Sequence, residues 1–96
     1  MIVGACKLTL YLPGLHSLKE KRKILRQLKD RVAHRYSIYL SEVGDQDLWQ
    51  RSSIGFAVVG VDKSYINSLI DRITEYVASN IEGDLLTRRV EYYYLE

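Results

Sequence analysis

The run Ile54-Gly-Phe-Ala-Val-Val-Gly-Val61 is apolar on both of its faces. A strand of that kind belongs in the interior of a sheet, with neighbours on both sides. The remaining segments must therefore supply more strands and a layer to cover them. Ile2 to Leu12 is rich in β-formers and alternates, with Cys6, Leu8, Leu10 and Leu12 on one face and Lys7, Thr9 and Tyr11 on the other, which predicts a first strand. Pro13-Gly14 breaks it. Ser17-Leu-Lys-Glu20 then has capping-box spacing, in which a hydroxyl and a carboxylate satisfy free amides of a first helical turn. The helix so begun runs to about Tyr36, with Leu18, Leu25, Leu28, Val32 and Tyr36 on one arc of a 100° wheel and Lys19, Lys23, Arg26, Asp30 and His34 on the opposite one.

Ser37 to Val43 alternates again, Ile38 and Leu40 against Tyr39 and Ser41. The polar Gly44-Asp-Gln-Asp47 makes it one arm of a long-looped hairpin with Ile54–Val61. Ile66, Leu69, Ile70, Ile73, Val77 and Ile81 have helical spacing, with Asp62 or Ser64 as cap and Gly83 as terminator. Leu85 to Leu95 is the last strand. The order β-α-β-β-α-β predicts an α+β, ferredoxin-like domain spanning residues 1–96, a four-stranded antiparallel sheet with both helices on one face and strands one and three central.

Ninety-six residues at 47% hydrophobic and 27% charged content suit one such domain and not two. The single Cys6 sits in an apolar run without His or Cys company, so it reads as a small buried hydrophobe in a reducing compartment. Neither a secretory signal nor a membrane-length apolar stretch is present, and a cytoplasmic protein is expected.

Charge is distributed unevenly. From Lys19 to Arg35 there are eight Lys or Arg against Glu20 and Asp30, a local net charge of +6, which leaves −4 for everything else under a total of +2. Such polarisation points to an anionic partner. Lys19, Lys21, Arg22 and Lys23 also oppose the helix macrodipole, each at roughly 0.3–1 kcal/mol if unscreened. Cations placed against the helix's own field suit a phosphate ligand; the plain alternative is a solvated face with Asp30 beside Arg26 balancing the charge. The one tryptophan lies in Asp45-Gln-Asp-Leu-Trp-Gln-Arg51, where Trp49 either stacks on a base or caps the core with its indole N–H on a loop carbonyl, and Gln50 and Arg51 offer polar contacts. Eight tyrosines, three of them at Tyr92-Tyr93-Tyr94, suit a half-exposed sheet or a self-association surface including Tyr11, Tyr39 and Tyr93.

Leu10–Leu15 and Gly55–Val59 echo the strand motifs of RNA-recognition domains, but Val58 and Val61 stand where aromatics would be required. His16 and His34 have no metal-ligand spacing, and Glu42, Asp45 and Asp47 lack that of an EF-hand. There is no phosphate loop, nucleophile elbow or Cys/His pairing. A non-enzymatic protein with no cofactor, no metal and no catalytic residues is the expectation.

Ser17-Leu-Lys-Glu-Lys-Arg22, Ser41-Glu-Val43 and Asp47-Leu-Trp-Gln-Arg51 together resemble the YlxP-like family of small uncharacterised bacterial proteins, over most of the chain. The resemblance implies a ferredoxin-like fold. It also implies a gene neighbourhood among translation and ribosome-maturation factors, and hence association with RNA or the ribosome, without an established activity. The residues it marks are Lys19, Glu20, Lys21, Arg22, Trp49, Gln50 and Arg51. Two readings follow. In the first, Lys19, Lys21, Arg22, Lys23 and Arg26, with Trp49, Gln50 and Arg51, contact RNA or a ribosomal particle. In the second, the Tyr-bearing open sheet face mediates protein interaction or a homodimer without nucleic acid.

Overall fold

The computed structural model describes residues 1–96. Its elements are β1 (Ile2–Tyr11), α1 (Leu18–Tyr36), β2 (Ser41–Gly44), β3 (Arg51–Gly60), α2 (Lys63–Ser79) and β4 (Asp84–Tyr94). The strands form one antiparallel sheet in the order β2-β3-β1-β4. The two strands that alternate or run apolar are thus central, as their composition demands, and the α+β ferredoxin-like layout is the one expected. β1 pairs with β3 without interruption from Ile2↔Gly60 to Tyr11↔Arg51. Against β4 it pairs from Ile2↔Tyr94 to Tyr11↔Asp84, with one extra residue, Leu86, bulged opposite the Thr9–Leu10 step.

The core lies between one sheet face and the helices. Cys6, Leu8, Leu10 and Leu12 meet Ile54, Phe56 and Val58 from β3, Leu25, Leu28 and Val32 from α1, and Ile66, Ile70, Ile73 and Val77 from α2. Burying each of the larger side chains contributes about 1.5–3 kcal/mol before conformational entropy is counted. α2 rests directly on the β1 backbone, since a Cβ at Gly4 would fall 2.6 Å from Ile66 Cγ2 and 3.0 Å from Ile70 Cδ1. No helix is long and apolar enough to cross a membrane.

Three boundaries differ from the sequence expectation. Ser37 does not open a strand: it sits at φ 55°, ψ 35° and caps α1, its N–H donating to Ala33 O at 2.9 Å. The helix end needs a left-handed residue to turn the chain, so β2 shrinks to Ser41–Gly44, although Leu40 still reaches the core. α2 stops at Ser79 and is closed by Asn80, whose N–H donates to Val77 O and whose Nδ2 donates to Tyr76 O. Gly83 is therefore not its terminator. It lies where any Cβ would collide with the Tyr11 carbonyl, which makes it the close crossing of the α2–β4 connection over the end of β1. β3 begins at Arg51, before the apolar run, because Ser52 and Ser53 are buried strand residues with hydrogen-bond partners.

Candidate functional site

α1 starts where Ser17, in extended conformation, accepts a hydrogen bond from Glu20 N at 3.1 Å. The apolar stripe then fixes the rotation of the helix on the sheet, with Leu25, Leu28 and Val32 at most 4% exposed. Lys19, Arg22, Lys23 and Arg26 are consequently exposed, and Lys29 is half-buried at their edge. Of the four ion pairs in the molecule, Lys21–Glu42, Arg51–Asp45, Arg88–Asp71 and Arg89–Glu91, none involves these five cations. Asp30 does not pair with Arg26. At the far end of α1 the cations are occupied otherwise: Arg31 donates to Asn80 Oδ1 at 3.4 Å, and the Arg35 guanidinium lies 5.0 Å from the Tyr76 ring centre and 5.7 Å from that of Tyr36. The first three turns thus carry an unpaired cationic strip.

Lys21 is the exception, and the structure removes it from that strip. It is 1% exposed, its Nζ lying 2.8 Å from Glu42 Oε2 and donating to Asp45 O at 2.6 Å. Buried ammonium groups require such partners, because unpaired they carry a desolvation cost of several kcal/mol. Glu42 Oε2 also accepts from Ser52 Oγ at 2.7 Å. Asp45, at φ 58°, directs its carboxylate to the other side of the sheet edge, where Oδ2 accepts from Arg51 Nε at 3.1 Å and Ser53 Oγ at 3.2 Å. Ser53 Oγ in turn lies 3.3 Å from the Thr9 hydroxyl. One polar chain therefore passes from α1 around the sheet edge to its open face. Glu42, Asp45, Ser52 and Ser53 were not singled out as a unit by sequence reasoning. The signal was present: on the wheel Lys21 falls between Leu28 and Val32, and Glu42 follows Leu40 on the core-facing alternation of β2.

Trp49-Gln50-Arg51 lies at the same end of the molecule as the start of α1. Gln50 holds it there, its Nε2 donating to Pro13 O and Leu15 O at 3.0 Å each while its backbone carbonyl accepts from Leu12 N at 2.8 Å. Gln50 is thus committed to joining the hairpin to the β1–α1 loop. Trp49 does not cap the core: it is 52% exposed, and its indole N–H makes no hydrogen bond to a loop carbonyl. With Tyr11, Leu48, Arg51 and Leu86 it lines an open depression of about 530 Å³. His16 and His34 are both exposed.

The open sheet face has a different character. Ala5, Gly55 and Ala57 floor a trough of about 640 Å³ bordered by Tyr39 and Val43 on one side and by Lys7, Arg89 and Glu91 on the other. No aromatic stands at its centre, and Val58 points into the core at 3% exposure, so the echo of RNA-recognition strands has no stacking platform behind it. Along β4 the Glu91 carboxylate accepts from Tyr93 Oη at 2.6 Å and pairs with Arg89 at 3.1 Å. The phenol's hydrogen bond, and then the Arg89 charge, hold Glu91 below the usual carboxylate range, and the same contact raises Tyr93. Burial pushes the Cys6 thiol up, against a partial opposing pull from Arg88 and Thr74.

The architecture is that of a small α+β ferredoxin-like protein with one cationic helix. Residues 3–90 match the family model described as "Protein of unknown function (DUF503)". The chain is also 33% identical over 88 residues to the uncharacterized protein YlxP of Bacillus subtilis (strain 168), covering 92% of this chain and 94% of that one. The chain belongs to this family.

Proposed function

We propose that this protein is a non-enzymatic RNA-binding domain that docks the first three turns of α1 on the phosphate backbone of structured RNA, ribosomal RNA included. The observation that supports this reading is the strip Lys19, Arg22, Lys23, Arg26 and Lys29, five cations on one side of one helix with no ion-pair partner. Like charges at i,i+3 and i,i+4 destabilise a helix, and a polyphosphate relieves that repulsion while releasing its own counterions. Lys21 and Gln50 are positioning residues in this reading, because their polar atoms are consumed inside the fold. Trp49 and Arg51 add an exposed ring and a half-exposed guanidinium near the helix start, suited to an unstacked base and its phosphate. Phosphate contacts of this kind give affinity and register with little sequence preference.

The test is fluorescence anisotropy with a labelled structured RNA across a salt series. Five engaged phosphates predict a slope of log K against log salt of about −3.5 to −4.5. Lys19→Glu with Lys23→Glu and Arg26→Glu should flatten that slope and weaken binding at every salt concentration. Affinity and slope unchanged by the triple reversal would refute the reading.

A further inference from the structure

β4 stands at one edge of the sheet and pairs with β1 alone, so one row of its backbone amides and carbonyls has no partner within the chain. The opposite edge, β2, is four residues long and bulged, a form that does not template further pairing. β4 is far longer and, beyond a single bulge, regular. It has eleven residues, Asp84-Leu-Leu-Thr-Arg-Arg-Val-Glu-Tyr-Tyr-Tyr94, with neither Pro nor Lys to blunt it. Its bulge is confined to Leu86, and from Thr87 onward the register with β1 is unbroken.

We propose that β4 is the interface of a homodimer in which two copies pair β4 against β4, antiparallel, about a two-fold axis perpendicular to the sheet at Val90. The sheet then continues across both copies, with all helices on one side. Such an axis brings only residues of the same sheet face opposite one another, so the centre must fall on a residue rather than between two. With Val90 opposite itself, Arg89 of each copy stands opposite Glu91 of the other on the open face, and Thr87 stands opposite Tyr93 on that same face. On the helix side Arg88 stands opposite Tyr92. Moving the centre one residue either way sets Arg89 against Arg89 or Glu91 against Glu91, and like charges directly opposite destabilise a strand pair. The Arg89-Val90-Glu91 pattern is therefore self-complementary in one register and repulsive in both neighbours. That is the argument for a second copy of this chain as the occupant. Arg89 and Glu91 are 77% and 49% exposed, so they can be shared across the axis. Leu86, Tyr93 and Tyr94, 47%, 55% and 64% exposed, flank the ladder with apolar surface.

Sedimentation equilibrium of the full chain, without RNA, tests this from micromolar to several hundred micromolar concentrations. The wild type should dimerise. Arg89→Glu and Glu91→Arg should each weaken the dimer about tenfold or more, because each sets two like-charged pairs opposite across the axis. The double swap Arg89→Glu with Glu91→Arg should restore it. Val59→Glu, on the open face and away from β4, should leave it unchanged. A monomer throughout the range would overturn the proposal, as would a double swap no tighter than the single variants. A dimer dissociated by Val59→Glu and indifferent to Arg89→Glu would assign self-association to the open face instead.

Discussion

Replacing Lys21 by methionine keeps the length of the stem and removes the charge. With the charge go the 2.8 Å ion pair to Glu42 and the 2.6 Å hydrogen bond to the Asp45 carbonyl. Breaking one side of a buried pair costs about 3–5 kcal/mol, because the remaining charge is stranded. Glu42 keeps the Ser52 hydroxyl and is 17% exposed, which places Lys21→Met near the lower end, about 3 kcal/mol. In a domain of 96 residues that is a fall in Tm of about 12–24 °C, or a shift of about 1–3 M in the urea midpoint. Glu42→Leu should cost more, about 4–5 kcal/mol, since the ammonium it strands is 1% exposed. The double variant Lys21→Met with Glu42→Leu should lie within about 2 kcal/mol of wild type, as apolar replacements of buried pairs usually do. Urea unfolding followed by circular dichroism supplies the cycle. Single and double effects that add, or a Lys21→Met variant within about 1 kcal/mol of wild type, would refute the assignment. The same variant, assayed while folded, should bind RNA like the wild type, in contrast to reversal of Lys23.

Gln50→Ala should destabilise the fold by about 1–2 kcal/mol through loss of both amide bonds to Pro13 and Leu15 carbonyls, and should accelerate amide exchange in the β1–α1 loop; exchange unchanged there would show that the bonds do not hold the loop. The Glu91–Tyr93 contact should fail at both ends of the pH range. Glu91 is depressed, so its contribution is present above the ordinary carboxylate range and is lost as pH falls through the lowered value. Tyr93 is raised, so its contribution is present below the ordinary phenol range and is lost as pH rises through the raised value. Carbon-detected NMR titration should show Glu91 moving up in Tyr93→Phe and Tyr93 moving down in Glu91→Gln; unmoved titrations in both variants would refute the contact.

The fold was legible because it rests on periodicity. β1, β3 and both helices announce themselves by where their apolar residues recur, and their order leaves one split topology. The errors fall where a single backbone conformation or one hydrogen bond decides. Ser37 looks like a strand residue until the end of α1 demands a left-handed turn, and Gly83 looks like a helix stop although Asn80 closes α2 first. At the candidate site the exposed cations were legible as a charge run. The burial of Lys21 was not, because its partner Glu42 lies 21 residues away on another element, and only the wheel position of Lys21 hinted at it. The residue type of Trp49 suits either a base-stacking ring or a cap on the core, and only the hairpin geometry held by Gln50, which leaves the indole outside the core, separates the two.

If the protein binds RNA as proposed, the unpaired strip on α1 gives salt two opposite effects on this molecule. Lys19 with Arg22 and Lys23, Arg26 with Arg22, Lys23 and Lys29, repel across single helical turns. At about 0.2–0.5 kcal/mol each, partly offset by Asp30, these contacts hold the free protein about 1–2 kcal/mol below the stability of a neutral helix. Raising the ionic strength screens that repulsion and should make the free fold melt later, while the same salt loosens an RNA complex. A polyanion bound at the strip takes over the screening. Under the proposed RNA binding the helix would act as a store of strain that the polyanion discharges, and the free domain would lose most to this repulsion in dilute buffer, where it would also hold RNA most tightly.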